Sequence, residues 1–229
     1  MGFICHYFTV DDSGYERKVI MPQLSIHIVA WNSLASLPNL FASLEKQTFK
    51  DFVVRVVDNG SNDGLEKWLQ EKYPQVMLIR NSRNLGLAAA LNQMIKYAIS
   101  KWENEDLNRC YILVVSPDVV LVEDCLAKLV EAAAATPGAG VWAPKILKMF
   151  QDNSNDEVLS LGIRSDVIDN VGLQINRFYR FHKRGAGELD RGQHDHESGK
   201  EIFGATNIVA LYRAAALEAA KLFDHEYFD

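Results

Sequence analysis

From Leu24 onward the apolar positions follow two alternating rhythms. Short apolar runs at residues 24–30, 52–57, 76–79, 111–115 and 141–146 read as strands. Between them apolar residues recur at helical spacing. Leu34, Leu37, Leu40, Phe41 and Leu44 form one such face, and Leu87, Leu91, Ile95, Ala98 and Trp102 form a longer one. Residues 65–73 predict a short helix stopped by Pro74, and residues 123–135 another ended by Pro137-Gly138. Strands alternating with helices at this pace imply βαβ units and a largely parallel sheet. After about residue 150 the pattern changes. Residues 151–157 are polar, and the Gly-punctuated segments 159–163 and 171–179 look like hairpin strands. Residues 182–200, rich in Gly, His and charge, read as an exposed loop; 202–211 is strand-like and 213–222 an Ala-rich helix. Residues 1–22 show no clear period, and Met21-Pro22 resembles a second start, so they read as an extension or tag-like arm. No internal repeat is visible.

The bulk numbers narrow the function classes. At 229 residues, one α/β domain can account for the chain without a disulfide or metal staple. A formal net charge of -6 disfavours a general nucleic-acid binder. The three cysteines Cys5, Cys110 and Cys125 are odd in number and lack metal-ligand spacing, which suggests a reducing compartment. No apolar run reaches the ~18 residues of a membrane span, and no signal peptide is evident.

The candidate chemistry sits where strands end. Val56-Val57-Asp58 runs into Asn59-Gly60-Ser61-Asn62-Asp63-Gly64, a dense turn signal. Asp58 is either part of a capped turn or a carboxylate for a pyrimidine N–H or a ribose hydroxyl. Val114-Val115 runs into Ser116-Pro117-Asp118, where Pro117 ends the pairing and leaves Asp118 at the carboxyl rim. Asp118 is either a loop or cap residue or an anchor for magnesium, which often takes only one or two carboxylates when phosphates supply the rest. Ligands in open α/β sheets bind beyond the carboxyl ends of the strands. Arg80-Asn81-Ser82-Arg83-Asn84-Leu85-Gly86 leads into the long helix. Asn84 could cap that helix, Arg80 and Arg83 could face a phosphate, and Gly86 permits close backbone approach. Neither GxxxxGK[ST] nor GxGxxG occurs, which argues against P-loop NTPases and Rossmann dehydrogenases. His182, His194 and His196 fall in the polar loop, where no third and fourth ligand stands at zinc spacing, so they read as solvated.

Taken in order, Ser25-Ile26-His27-Ile28-Val29-Ala30-Trp31-Asn32, the Asp58 segment, the Arg80–Gly86 segment and Ser116-Pro117-Asp118 resemble the signature of GT-A-fold, family 2 glycosyltransferases. The bacterial rhamnosyltransferase-like enzymes look nearest. Phe203-Gly204-Ala205 and Phe223-Asp224-His225-Glu226-Tyr227-Phe228 are similar to later segments of that subgroup.

The resemblance implies a three-layer α/β/α domain over 23–229 with a mixed, mostly parallel sheet. It implies inverting transfer from a dTDP- or UDP-sugar, rhamnose being a candidate, to a hydroxyl of a glycan or lipid-linked glycan at the cell surface. Ala30, Trp31, Asn32, Asp58 and Asn59 would line the nucleoside pocket. Arg80, Asn84, Gly86, Ser116 and Pro117 would complete the nucleotide side, and Gly204 and Ala205 would lie near the donor sugar. Asp118 would hold Mg2+ or Mn2+ as the last Asp of a DXD motif in which Ser116 replaces the first. The family's acidic catalytic pair is expected just beyond Asp229, so the chain reads as truncated at its C-terminus and short of its general base. A cytoplasmic location at the inner face of a membrane, with peripheral contact and no nucleic-acid partner, fits this picture. The alternatives are a nucleotidyltransferase, although Trp31-Asn32-Ser33-Leu34 lacks the expected basic Gly-rich loop, and a nucleotide-sugar-binding remnant without turnover.

Overall fold

The computed structural model describes residues 23–150, 163–195 and 202–226. Its main sheet contains β1 (Leu24–Ala30), β2 (Phe52–Asp58), β3 (Met77–Arg80), β4 (Tyr111–Val115), β5 (Val141–Trp142) and, later in the chain, β10 (Val209–Arg213). The strand order is β3-β2-β1-β4-β10-β5. The first four strands are parallel, and β10 runs antiparallel to both β4 and β5. The sheet is therefore mixed and mostly parallel: the rhythm of the chain predicts the parallel part, and the family resemblance implies the mixed arrangement.

Among the described residues five α-helices cover the two faces: α1 (Leu37–Glu45), α2 (Leu65–Lys72), α3 (Leu87–Lys101), α4 (Cys125–Ala135) and α5 (Ala214–Ala219). Successive residues of a strand point to opposite faces. Ile26 and Ile28 of β1 accordingly pack with Leu40 and Phe41 of α1, Leu69 of α2 and Leu126 of α4. Val57, Ile112 and Val114 pack on the other face, with Met94 and Ile95 of α3 and Leu217 of α5. Both faces of β1 are thus buried, although Ser25 and His27 make its first five residues alternate between apolar and polar.

Among the buried polar side chains, Ser25, His27 and Arg55 form a cluster under α3. Ser25 Oγ and His27 Nε2 are 2.7 Å apart, and the Arg55 guanidinium donates to Ser25 Oγ. Burial, with Arg55 alongside, holds the His27 pKa well below its ordinary value.

The later chain departs from the expected pattern. The apolar stretch 141–146 is divided: β5 stays in the main sheet, whereas β6 (Ile146–Phe150) leaves it to pair with β7 (Ile163–Asn170). Most of the expected strand 159–163 lies outside the described residues. The segment 171–179 supplies only β8 (Leu173–Ile175), which pairs with β9 (Phe181–Lys183). The start of the expected loop at 182 therefore lies in a strand. In 202–211 the strand proper begins at Val209, preceded by irregular chain with one bridge at Gly204. His194 is not a solvated loop residue: its side chain is 12% exposed, with Nε2 3.3 Å from Glu188 Oε2. His196 lies outside the described residues.

Candidate active site

The strand order places the site. From β1 the chain winds through β2 to β3, and α3 then carries it back across to β4 on the other side of β1. The order reverses between β1 and β4, so a crevice is expected outside their carboxyl ends. Ala30, Asp58 and Arg80 are register partners on one side of that reversal, and Ser116-Pro117-Asp118 leaves β4 on the other.

On the β1–β2–β3 side the loops are stitched together by side chains. Asn32, in the left-handed region at φ 50°, accepts the Asn62 N–H at its Oδ1 (3.0 Å), while its own N–H donates to Ser61 Oγ (2.9 Å). Asp63 Oδ2 accepts the Leu34 N–H at 2.8 Å. Asn59 is buried and uses both ends of its amide. Its Nδ2 donates to Asn84 Oδ1 (2.7 Å), and its Oδ1 accepts from Asn81 Nδ2 (3.0 Å) and the Leu85 N–H (3.1 Å). Gln93 of α3 closes the network onto Asn81. Gly60 holds φ 86°, and a Cβ there would stand 2.8 Å from the backbone of Arg83, so only glycine lets these two loops meet.

Asp58 and Arg80 are engaged with each other and with their neighbours on this side, and the capping expected of Asn84 is corrected. The Asp58 carboxylate is not exposed: it is 1% accessible, its Oδ1 accepts the Ser61 N–H at 2.8 Å, and its Oδ2 lies 3.6 Å from Arg80 Nε. The Arg80 guanidinium, about half exposed, also pairs with Glu66 of α2. Asn84 does not cap α3. Its Oδ1 accepts the Gly86 N–H at 2.8 Å, and Gly86 itself is the N-cap at φ 83°. Trp31 is 56% exposed at the edge of this wall.

On the β4 side the geometry is sparse. Ser116 Oγ donates to Asp118 Oδ1 at 2.5 Å, and Asp118 is exposed. The Ser116 N–H donates to the Ile208 carbonyl (2.8 Å), which ties this rim to the chain that carries Gly204 and Ala205. Thr206, next in that chain, is 7% exposed, and among the described residues its Oγ1 has no hydrogen-bond partner. The sequence alone does not single out Thr206, Asn81 or Gln93. Nothing in a lone Thr or Gln marks it out, but Asn81 stood inside the polar run before α3.

The donor set suits a hard divalent cation. Carboxylate and hydroxyl oxygens at a solvent-facing rim are the ligands Mg2+ and Mn2+ prefer. Among the described residues no group of three or more His, Cys, Asp or Glu could cage an ion. The site therefore fits an ion shared with a diphosphate better than one held by protein alone.

Comparisons with known proteins bear on the fold and the family. The N-acetylglucosaminyl-diphospho-decaprenol L-rhamnosyltransferase of Mycobacterium tuberculosis is 29% identical over 130 residues, covering 54% of this chain and 41% of that protein. The match thus spans less than half the length of that relative. Among solved structures, S. aureus TarS 1-349 superposes with a TM-score of 0.53 at 17% identity, over 90% of this chain and 51% of that one. The mannosyltransferase PcManGT from Pyrobaculum calidifontis, in complex with GDP-Man and Mn2+, gives 0.50 at 14% identity, over 91% and 49%. These likenesses establish the shared GT-A architecture. The sequence profile of Glycosyl transferase family 2 matches residues 25–218, so the chain belongs to glycosyl transferase family 2.

Proposed function

We propose that residues 23–229 act as a single GT-A domain in an inverting glycosyltransferase. It moves a sugar from a dTDP- or UDP-sugar to a hydroxyl of a cell-surface or lipid-linked glycan. The observation that carries this reading is the placement of Asp58 and Asp118 beyond the ends of β2 and β4, on either side of the point where strand order reverses. TarS is also known in complex with UDP and with UDP-GlcNAc, which favours a uridine-type donor. The name of the mycobacterial relative favours rhamnose and a lipid-linked acceptor.

In this reading Ala30, Trp31 and Asn32 face the nucleoside, with Asp58 and Asn59 fixing the loop that reads the base. Arg80, Asn84 and Gly86 set the backbone path beside it. Ser116 and Pro117 shape the β4 rim, and Gly204 and Ala205 leave room for the sugar. Asp118, oriented by Ser116, would hold Mg2+ or Mn2+. When bound, that cation neutralises charge on the leaving nucleoside diphosphate. The acceptor oxygen bonds to the anomeric carbon as the bond from that carbon to the diphosphate oxygen breaks, the electron pair leaves with the diphosphate, and the acceptor's proton passes to a general base. Asp224 is engaged locally, accepting the Glu226 N–H at 3.0 Å, and neither is assigned as the base that takes the acceptor proton. No helix among the described residues is long and apolar enough to cross a membrane. We place the work at the cytoplasmic face of one.

A thermal-shift series with dTDP-, UDP- and GDP-sugars, with Mg2+ or with EDTA, tests the proposal. A donor at 100 times its Kd stabilises by about 2.7 kcal/mol. A uridine or thymidine donor should raise the melting temperature, more so with metal. If no nucleotide sugar does so, the reading falls.

A further inference from the structure

We propose that the β8–β9 hairpin docks the protein on an anionic lipid bilayer. The hairpin lies outside the main sheet, and its tip orders its own backbone. Asn176 Oδ1 accepts the N–H groups of Phe178 (2.9 Å) and Arg180 (3.1 Å), and the Asn176 N–H donates to the Arg180 carbonyl (3.0 Å). Tyr179 sits in the left-handed region at φ 57°, a strained conformation for a bulky residue. This ordering does not bury the aromatic rings. Phe178 is 67% exposed and Tyr179 82%, and Phe181 and Phe203, 5.0 Å apart, continue the surface toward the hairpin base at 61% and 58%.

Charge decides which partner fits. The whole chain has 30 acidic residues against 24 basic ones. Residues 173–184 contain Arg177, Arg180, Lys183 and Arg184 and no acidic residue. Lys183 is paired with Asp169 at 2.9 Å. Among the described residues no carboxylate forms an ion pair with Arg177 or Arg180, and the Arg177 guanidinium lies 4.7 Å from the centroid of the Phe178 ring. An ordered tip with an apolar ring, an amphipathic Tyr and two flanking cations, on an otherwise acidic protein, matches the headgroup layer of an anionic bilayer. Aromatic rings of this kind settle at headgroup depth while the cations meet lipid phosphates.

The hairpin base is joined to the candidate sugar site. The Leu173 N–H donates to the Gly204 carbonyl (2.8 Å), and the Phe203 N–H donates to the Leu173 carbonyl (3.0 Å). A three-residue strand spans roughly 10 Å, so docking at the tip would hold Gly204 about that far above the bilayer surface. The docking rests on the hairpin alone. Its use, presenting the crevice to a lipid-linked acceptor, rests on the function proposed above.

Co-sedimentation of the full chain with lipid vesicles tests this. The chain should bind vesicles of mixed phosphatidylglycerol and phosphatidylcholine, release with rising salt, and bind pure phosphatidylcholine at least ~10-fold more weakly, since each juxtamembrane cation is worth about fivefold in partition. The double variants Arg177→Gln/Arg180→Gln and Phe178→Ser/Tyr179→Ser should each lose about 10-fold or more in vesicle binding. Both should keep wild-type melting temperatures and UDP binding, because the four side chains are exposed. Equal binding of the wild type to both vesicle types would overturn the proposal even if a variant failed to fold. So would variants that bind anionic vesicles like the wild type, or self-association without vesicles that the Phe178/Tyr179 variant abolishes. Vesicle binding without any nucleotide binding would leave docking standing and count against sugar transfer.

Discussion

The two walls of the crevice use their polar groups in opposite ways. On the β1–β2–β3 wall Asn32, Asp58, Asn59, Asn81 and Asn84 are all engaged with neighbours inside the protein. On the β4 wall Asp118 is exposed, with Ser116 as its hydrogen-bond partner. Buried polar networks that are fully satisfied rigidify a structure. An exposed carboxylate keeps lone pairs available for a ligand. In the function proposed above, the first wall would fix the shape of the nucleoside pocket before anything binds, and the second would supply the charge that the diphosphate and its cation meet.

The sharpest way to break this contrast is Asp118→Ala. On the open wall it should cost transfer about 10²–10⁴-fold and abolish the metal dependence of nucleotide binding. Stability should move by less than about 0.5 kcal/mol, as at ordinary surface positions. Metal-dependent binding at wild-type strength in this variant would mean the cation is held elsewhere.

Asn59→Ala attacks the closed wall and should do the reverse. It leaves the Leu85 N–H without its acceptor and takes one partner each from Asn81, which keeps Gln93, and Asn84, which keeps the Gly86 N–H, so unfolding in urea should come about 1–3 kcal/mol more easily. An unchanged denaturation midpoint would show the network to be ornamental.

Asp58 belongs to both descriptions, and two substitutions separate them. Asp58→Ala leaves the Ser61 N–H without its acceptor and should cost about 1–3 kcal/mol of stability. Asp58→Asn retains an acceptor for that N–H, so its stability should change by under ~1 kcal/mol. If the charged group also reads the base, the Asn variant should weaken UDP or dTDP by about 1.5–3 kcal/mol, measured by calorimetric titration. An Asn variant that binds like wild type would leave Asp58 a turn residue.

The smallest effect lies beneath both walls. His27 is held neutral by burial and Arg55, with its pKa well below 6.5. Above that value neither state takes a proton there, and its contribution to stability is complete. As the pH falls below about 6.5 the unfolded chain binds a proton that the folded chain excludes, so stability is lost at up to ~1.4 kcal/mol per pH unit. Between about pH 6 and pH 5, His27→Gln should flatten the slope of unfolding free energy by up to that amount. Identical slopes would place the His27 proton elsewhere.

These tests also mark what the sequence made legible. The four parallel strands were readable because each is a short apolar run bounded by turn residues, and Asp58 and Asp118 stood out because a charge ends each run. What each carboxylate touches was not readable. The burial of Asp58 depends on Arg80, which is 22 positions away in the chain but adjacent through parallel pairing of β2 and β3. The same holds for Asn59, whose partners Asn81 and Asn84 arrive from another loop. The division of 141–146 into β5 and β6 escaped because both pieces are apolar, and periodicity does not say which sheet a strand joins. The hairpin around Phe178 was visible only as a Gly-punctuated strand, since aromatic residues in a strand pattern ordinarily signal burial.

The most direct test of the crevice itself is an amide NMR titration of the full chain with UDP, in Mg2+ and again in EDTA. The account predicts saturable shifts clustered at residues 30–32, 58–62, 116–118 and 204–206, with tighter binding in Mg2+. Shifts that cluster away from the carboxyl ends of β1, β2 and β4, or no saturable shifts with Mg2+ present, would contradict it.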